Sequence, residues 1–176
     1  GPKVSGELLK SGLIAIVLSL SAMLIYIWIR FEWQFSLGAI IALVHDVIVT
    51  IGFFSILEFE INLSIVAAVL TIVGYSMNDT VVIFDRVREN LKKYTSKTIN
   101  EISNLSINET LSRTIITSLT TLLALLSIFF FGGEILNGFS FAMILGVIFG
   151  TYSSIFIANP ILIKLKVNQK SVLKGE

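Results

Sequence analysis

Asp79 and Arg113 are the residues of this chain whose types and spacing could do chemistry. Asp79 lies near one end of an apolar run, 61–84, six residues before Asp85, where polar sequence begins. Arg113 lies at the matching end of the next apolar run, 114–131. With a rise of about 1.5 Å per residue, each falls roughly 9 Å along its helix from the same edge. Antiparallel neighbours would therefore hold acid and base at similar height. Ionisable groups at membrane depth are costly and are kept where they act. Burial and a nearby guanidinium pull a carboxyl toward opposite protonation states, so a small movement of the guanidinium would take up or release a proton. The alternative is a static ion pair, with Arg113 snorkelling toward lipid phosphates.

Other polar residues cluster along the same runs. Tyr75, Ser76, Asn78 and Thr80 surround Asp79 in sequence. Arg113, Thr117, Thr120 and Ala124 recur at i, i+4, i+7 and i+11, which places them on one narrow face. That face is expected to line a file of water or to meet a partner helix closely. His45 and Asp46 form a second polar site in the middle of the run 35–57, with Thr50 one turn on. They read either as a further protonatable group gating the first or as a hydrogen-bonded contact between helices. Gly146 and Gly150 form a GxxxG followed by Ser153 and Ser154, expected to pack closely within the chain. Asn159-Pro160 is expected to kink or loosen the end of the last run. The charged stretch 85–90, DRVREN, reads as an anchor with i,i+3 pairing, or as a docking or hinge element.

The elements that must position these groups are helices in a bilayer. Of the 176 residues, 55% are hydrophobic, and the mean hydropathy is +0.89. A soluble domain of this size needs more polar surface. Five runs are long enough to span: 12–29, 35–57, 61–84, 114–131 and 138–165. Tight turns are expected at 30–34, 58–62 and 132–137, and one sizeable polar segment at 85–111. Within that segment, Thr98 to Glu101 and Ser106 to Glu109 both fit the capping-box pattern. The third helix is expected to run on to about Lys93. A short amphipathic surface helix would follow from about Ile99, with the fourth helix starting near Ile107.

Charge placement sets the orientation. Lys and Arg concentrate in the polar segment (Arg86, Arg88, Lys92, Lys93, Lys97) and in the tail (Lys164, Lys166, Lys170, Lys174). The opposite turns carry Glu58, Glu60 and Glu134 instead. The polar segment and C-terminus are therefore expected in the cytoplasm, with Gly1 on the far side. The net charge of +1 argues against a nucleic-acid partner. Without cysteine there is no disulfide or thiolate site, and with one histidine there is no multi-histidine metal centre. No cofactor is expected.

Several stretches resemble the SecD/SecF family of protein-export membrane proteins, in its SecF form. They are GPKVSGEL at 1–8, HDV at 45–47 leading to GFFS at 52–55, GYSMNDTVVIFDRVREN at 74–90, NETLSRT at 108–114 and GTYSSIFIA at 150–158. The resemblance implies an all-α membrane fold: five helices of the six-helix transmembrane unit of resistance-nodulation-division transporters. The family's first helix and extracytoplasmic domain would then be absent upstream of Gly1. It also implies that Asp79 corresponds to the family's proton-relay acid and Arg113 to its partner. Ser76, Asn78, Thr80, His45, Asp46, Thr117 and Thr120 are placed in support. The implied role is to use the proton-motive force to draw an exported polypeptide across the bacterial inner membrane after an ATP-driven motor has started it. Implied partners are SecD, the SecYEG translocon with its accessory membrane subunits, the unfolded exported chain and membrane lipids.

Three other readings compete. One is half of a proton-driven efflux or lipid transporter of the same superfamily. Another is a structural scaffold of the translocon, in which the polar residues only pack helices. The third is an intramembrane protease using Asp46 and Asp79, but GYSMN before Asp79 is not the Gly-x-Gly of that class, and a Ser76–His45 dyad has no flanking signature. An enzyme is not expected.

Overall fold

A computed structural model describes residues 2–60 and 62–173, with the backbone alone at 2–5. Gly1, Ile61 and Lys174, named above, lie outside the described residues. The elements are α1 (Pro2–Arg30), α2 (Trp33–Ile56), α3 (Leu63–Lys93), α4 (Ile99–Phe131), α5 (Glu134–Ser153), a π-helical turn (Ser154–Ala158), α6 (Asn159–Lys164) and α7 (Gln169–Leu173). Among the described residues, five spans are long and apolar enough to cross a membrane, the fifth running continuously from Glu134 to Lys164. Trp28 and Trp33, on either side of the α1–α2 turn, are exposed.

α3 is the central helix, packed against α1, α2, α4 and α5. It starts where the Asn62 side chain accepts from the Ile65 amide, and it ends at Lys93 as its apolar pattern implies. Its tightest neighbour is α5. A Cβ on Gly150 would lie 3.2 Å from Ser76 Cβ, and one on Gly146 would overlap Ile72. The GxxxG thus brings the backbones of two helices of one chain together. Gly38 does the same for α2, where a Cβ would sit 3.0 Å from the Ala158 carbonyl. Lipid tails are as apolar as leucine, so such close approach and polar contacts hold helices together where simple burial cannot.

The polar segment departs from the sequence expectation, as does α1, which begins at Pro2 rather than near residue 12. The separate surface helix and the new start near Ile107 are not found: α4 is one helix from Ile99 to Phe131. Only the first capping box forms, with Thr98 accepting from the Glu101 amide and Glu101 from the Thr98 amide. The Ser106 hydroxyl instead bonds back to the Ile102 carbonyl within the helix and accepts from Asn90 on α3, so nothing interrupts the ladder there. The last span is continuous but loosened. Pro160 has no N–H to give to the carbonyl one turn back, and the turn before it widens to π geometry.

The basic end of the bundle is tied by charge. Arg30 on α1 pairs with Asp85 at 3.0 Å, and Arg88 donates through Nε and Nη2 to one oxygen of Glu32 in the α1–α2 turn. Arg86 makes the expected i,i+3 pair with Glu89 at 3.4 Å. It also approaches Glu109 of α4 at 3.7 Å. The buried Asn90 amide donates to Ser106 and to Glu109. The stretch 85–90 therefore clasps three other segments rather than forming a solvated face.

Candidate functional site

Asp79 projects from the middle of α3 toward α4. It is 1% exposed. Arg113 Nη1 lies 3.8 Å from its Oδ1, a separation that pairs the charges without a hydrogen bond. Neither carboxyl oxygen of Asp79 has a hydrogen-bond partner, and among the described residues the Tyr75 and Thr114 hydroxyls are likewise buried and unpaired. Tyr75 is one turn before Asp79, and Thr114 follows Arg113. Three residues with buried, unpaired polar atoms thus lie at neighbouring positions of α3 and α4, where buried polar groups are ordinarily paired. The Arg113 side chain is 46% exposed. Asp79 is enclosed by comparison.

Thr80, next to Asp79, turns the other way. Its hydroxyl meets Ser154 of the π turn at 2.9 Å and also donates to the Ser76 carbonyl. Asn78 is exposed, in a row with Ala67, Thr71 and Gly74 along one flank of α3. The expected face of Arg113, Thr117, Thr120 and Ala124 does not point at Asp79 as a unit. Thr120 and Ala124 are exposed, and the Thr117 and Thr120 hydroxyls bond carbonyls of their own helix. The buried face of α4 is one position round, through Thr110, Thr114, Ser118 and Leu125. The contact between Ser118 and Thr151 of α5, at 2.6 Å, goes with that rotation. Thr114, Ser118 and Thr151 are residues that sequence reasoning missed.

Asp46 belongs to a different constellation. It is fully buried, and its Oδ2 accepts from Ser76 of α3 at 2.7 Å and Ser153 of α5 at 2.8 Å. Its Oδ1 meets His45 Nδ1 at 3.1 Å, and its carbonyl accepts from Thr50. This carboxylate is saturated, which is what a contact joining three helices requires. The network continues through Thr80 and Ser154 to Asn159, which donates to the Ser154 carbonyl and accepts from Ser103 of α4. Ser153→Ala would remove one of two hydroxyl donors from a buried oxygen. Such a loss costs about 1–3 kcal/mol and is expected as a lower unfolding temperature in nanodiscs.

The chain's relatives agree with this architecture. Residues 1–168 match the family model described as protein export membrane protein SecD/SecF, C-terminal. The chain belongs to the SecD/SecF family. It is 60% identical over 162 residues to protein translocase subunit SecF of Rickettsia bellii, covering 92% of this chain and 54% of that protein. It is 53% identical over 169 residues to SecF of Cereibacter sphaeroides, covering 96% and 52%. The chain thus spans about half the length of these SecF relatives. Among solved structures, SecDF of Thermus thermophilus, described as a translocon-associated membrane protein, superposes with a TM-score of 0.89 at 43% identity. That match covers 94% of this chain and 23% of SecDF. The five-helix all-α membrane fold and multi-pass insertion agree with membership of this family.

Proposed function

We propose that this chain carries the proton-handling part of a SecF subunit, which couples the proton-motive force to late-stage movement of an exported polypeptide together with SecD and the SecYEG translocon. The observation that carries the reading is Asp79: a carboxyl 1% exposed, with no hydrogen bond to the protein and one guanidinium 3.8 Å away. A structural carboxylate would be saturated, as Asp46 is. Asp79 is instead held by charge alone, so its proton balance depends on where Arg113 lies. In this reading Asp79 alternates between neutral and ionised forms, and Arg113 is the movable counter-charge. Asp46, His45 and Ser76 hold the three helices around it. The basic end faces the cytoplasm of the inner membrane, as its lysines and arginines favour. The exposed row from Ala67 to Asn78 and the flank carrying Thr120 face protein rather than lipid, SecD being the partner this reading assigns to them.

The pairing at 3.8 Å is not bidentate, so it asks for a charge rather than for the forked geometry of arginine. In full-length protein with SecD in vesicles, Arg113→Lys is expected to keep proton-driven export within about threefold of the parent. Arg113→Gln is expected to lower it about tenfold, the order of effect for a lost charge partner. Export is followed with and without an uncoupler. Equal activity of the two variants would refute the counter-charge role.

A further inference from the structure

The charges between α3 and α4 come as a ladder, not a single pair. On α3, Asp79 and Arg86 are seven residues apart and so share a face; on α4, Glu109 and Arg113 are four apart and share another. The rungs are long on both levels: Asp79 to Arg113 is 3.8 Å and Arg86 to Glu109 is 3.7 Å. Glu109 also accepts from the Asn90 amide at 2.9 Å. Arg86 has a second acid, Glu89, at 3.4 Å. A glutamate one turn before an arginine is in the favoured i,i+4 orientation, and the two side chains can meet with no movement of the backbone.

We infer that Glu109 is the second resting place of the Arg113 guanidinium, a positioning residue for the proton step proposed above, on which this inference rests. With Asp79 ionised, Arg113 stays at the inner rung. Once Asp79 accepts a proton its charge is gone, and the half-exposed guanidinium turns about one helical turn toward the basic end, where Glu109 is the carboxylate on its own helix face. Glu109 then exchanges Arg86 and Asn90 for Arg113, while Arg86 retains Glu89. The polar tie between the basic ends of α3 and α4 loosens at the moment the proton binds. No bond is made or broken beyond the O–H of Asp79, and the net charge of the ladder changes by the one proton taken up. A proton bound at Asp79 is thereby communicated to the stretch 85–90, which clasps α1 and the α1–α2 turn.

The test uses full-length protein with SecD in nanodiscs and vesicles. Asp79→Asn fixes the inner site in its uncharged form. The guanidinium nitrogen signal of Arg113, assigned by its loss in Arg113→Lys, is expected to shift in Asp79→Asn. It should move to the position of a solvent-exposed arginine when Glu109→Gln is added. In the parent background, Glu109→Gln is expected to lower proton-driven export about fivefold, the upper end for a half-exposed pair. Glu109→Asp, which keeps the charge, should retain at least about half of the activity. An Arg113 signal in Asp79→Asn that does not respond to Glu109→Gln would overturn the proposal, as would full export by Glu109→Gln. Full export by Asp79→Asn is a separate result: it would overturn the proton reading itself.

Discussion

Asp79→Asn, in full-length protein with SecD, is expected to lower proton-driven export about a hundredfold, the low end for loss of a proton-transferring group. Thermal stability should stay within about 1 kcal/mol of the parent. The two halves of this expectation come from one feature. Asparagine matches the shape of aspartate, and the Asp79 oxygens make no hydrogen bond that the change would break. The lost partner, Arg113, is 46% exposed, and on the reading proposed above it turns toward Glu109, so no buried charge is stranded. What disappears is the ability to hold and release a proton. Translocation of a precursor into vesicles, with and without an uncoupler, measures the first half, and unfolding in nanodiscs the second. Near-normal export would favour the scaffold reading. Lost export with a collapsed fold would make Asp79 a structural residue like Asp46.

Asp46 is the internal control for that argument. Its carboxylate binds Ser76 and Ser153 and meets His45, so asparagine there would exchange an acceptor oxygen for an amide facing hydroxyls. A loss of stability at Asp46 and a loss of coupling at Asp79 would separate two acids that the sequence presents alike.

That contrast also marks how far the sequence can be read. Membrane depth is a one-dimensional quantity, and a fixed rise per residue on antiparallel helices was enough to set Asp79 and Arg113 at similar height. The spans follow from apolar length for the same reason. Rotation about a helix axis is different. On α4, hydroxyl residues occur on adjacent faces, with Thr117 and Thr120 on one and Thr114 and Ser118 on the next. The contacts of Ser118 with Thr151, Ser103 with Asn159 and Ser106 with Asn90 go with the face that turns inward. Asn78 fails for a related reason: being next to Asp79 in a helix places it about 100° away. Ser76 and Ser153 stood out as small polar residues in apolar runs, but nothing local assigned them to Asp46, which accepts from both. The links from Arg88 to Glu32 and from Asn90 to Glu109 were likewise out of reach, since nothing local to either partner names the other.

The close approach of α3 and α5 makes one added carbon there costly. At Gly146 an alanine Cβ would overlap the Ile72 side chain, with Cγ2 at 2.8 Å. Ile72 is 1% exposed and β-branched, so its first side-chain carbons cannot rotate aside cheaply. Either the rotamer is strained or the helices separate, and overpacking of this kind costs about 1–3 kcal/mol. Separation would also stretch the contacts from Ser153 to Asp46 and from Ser154 to Thr80, which lie further along the same interface. Gly146→Ala is therefore expected at or above the upper end of that range, as a lower unfolding temperature in nanodiscs. Gly74→Ala, where a Cβ meets nothing within 4 Å, should be neutral or slightly stabilising. Truncating the obstacle in Ile72→Ala/Gly146→Ala should recover part of the loss, so the double variant would be more stable than the sum of the two single changes. Strict additivity would mean that the α3–α5 interface yields by sliding, and that Gly146 does not set its spacing.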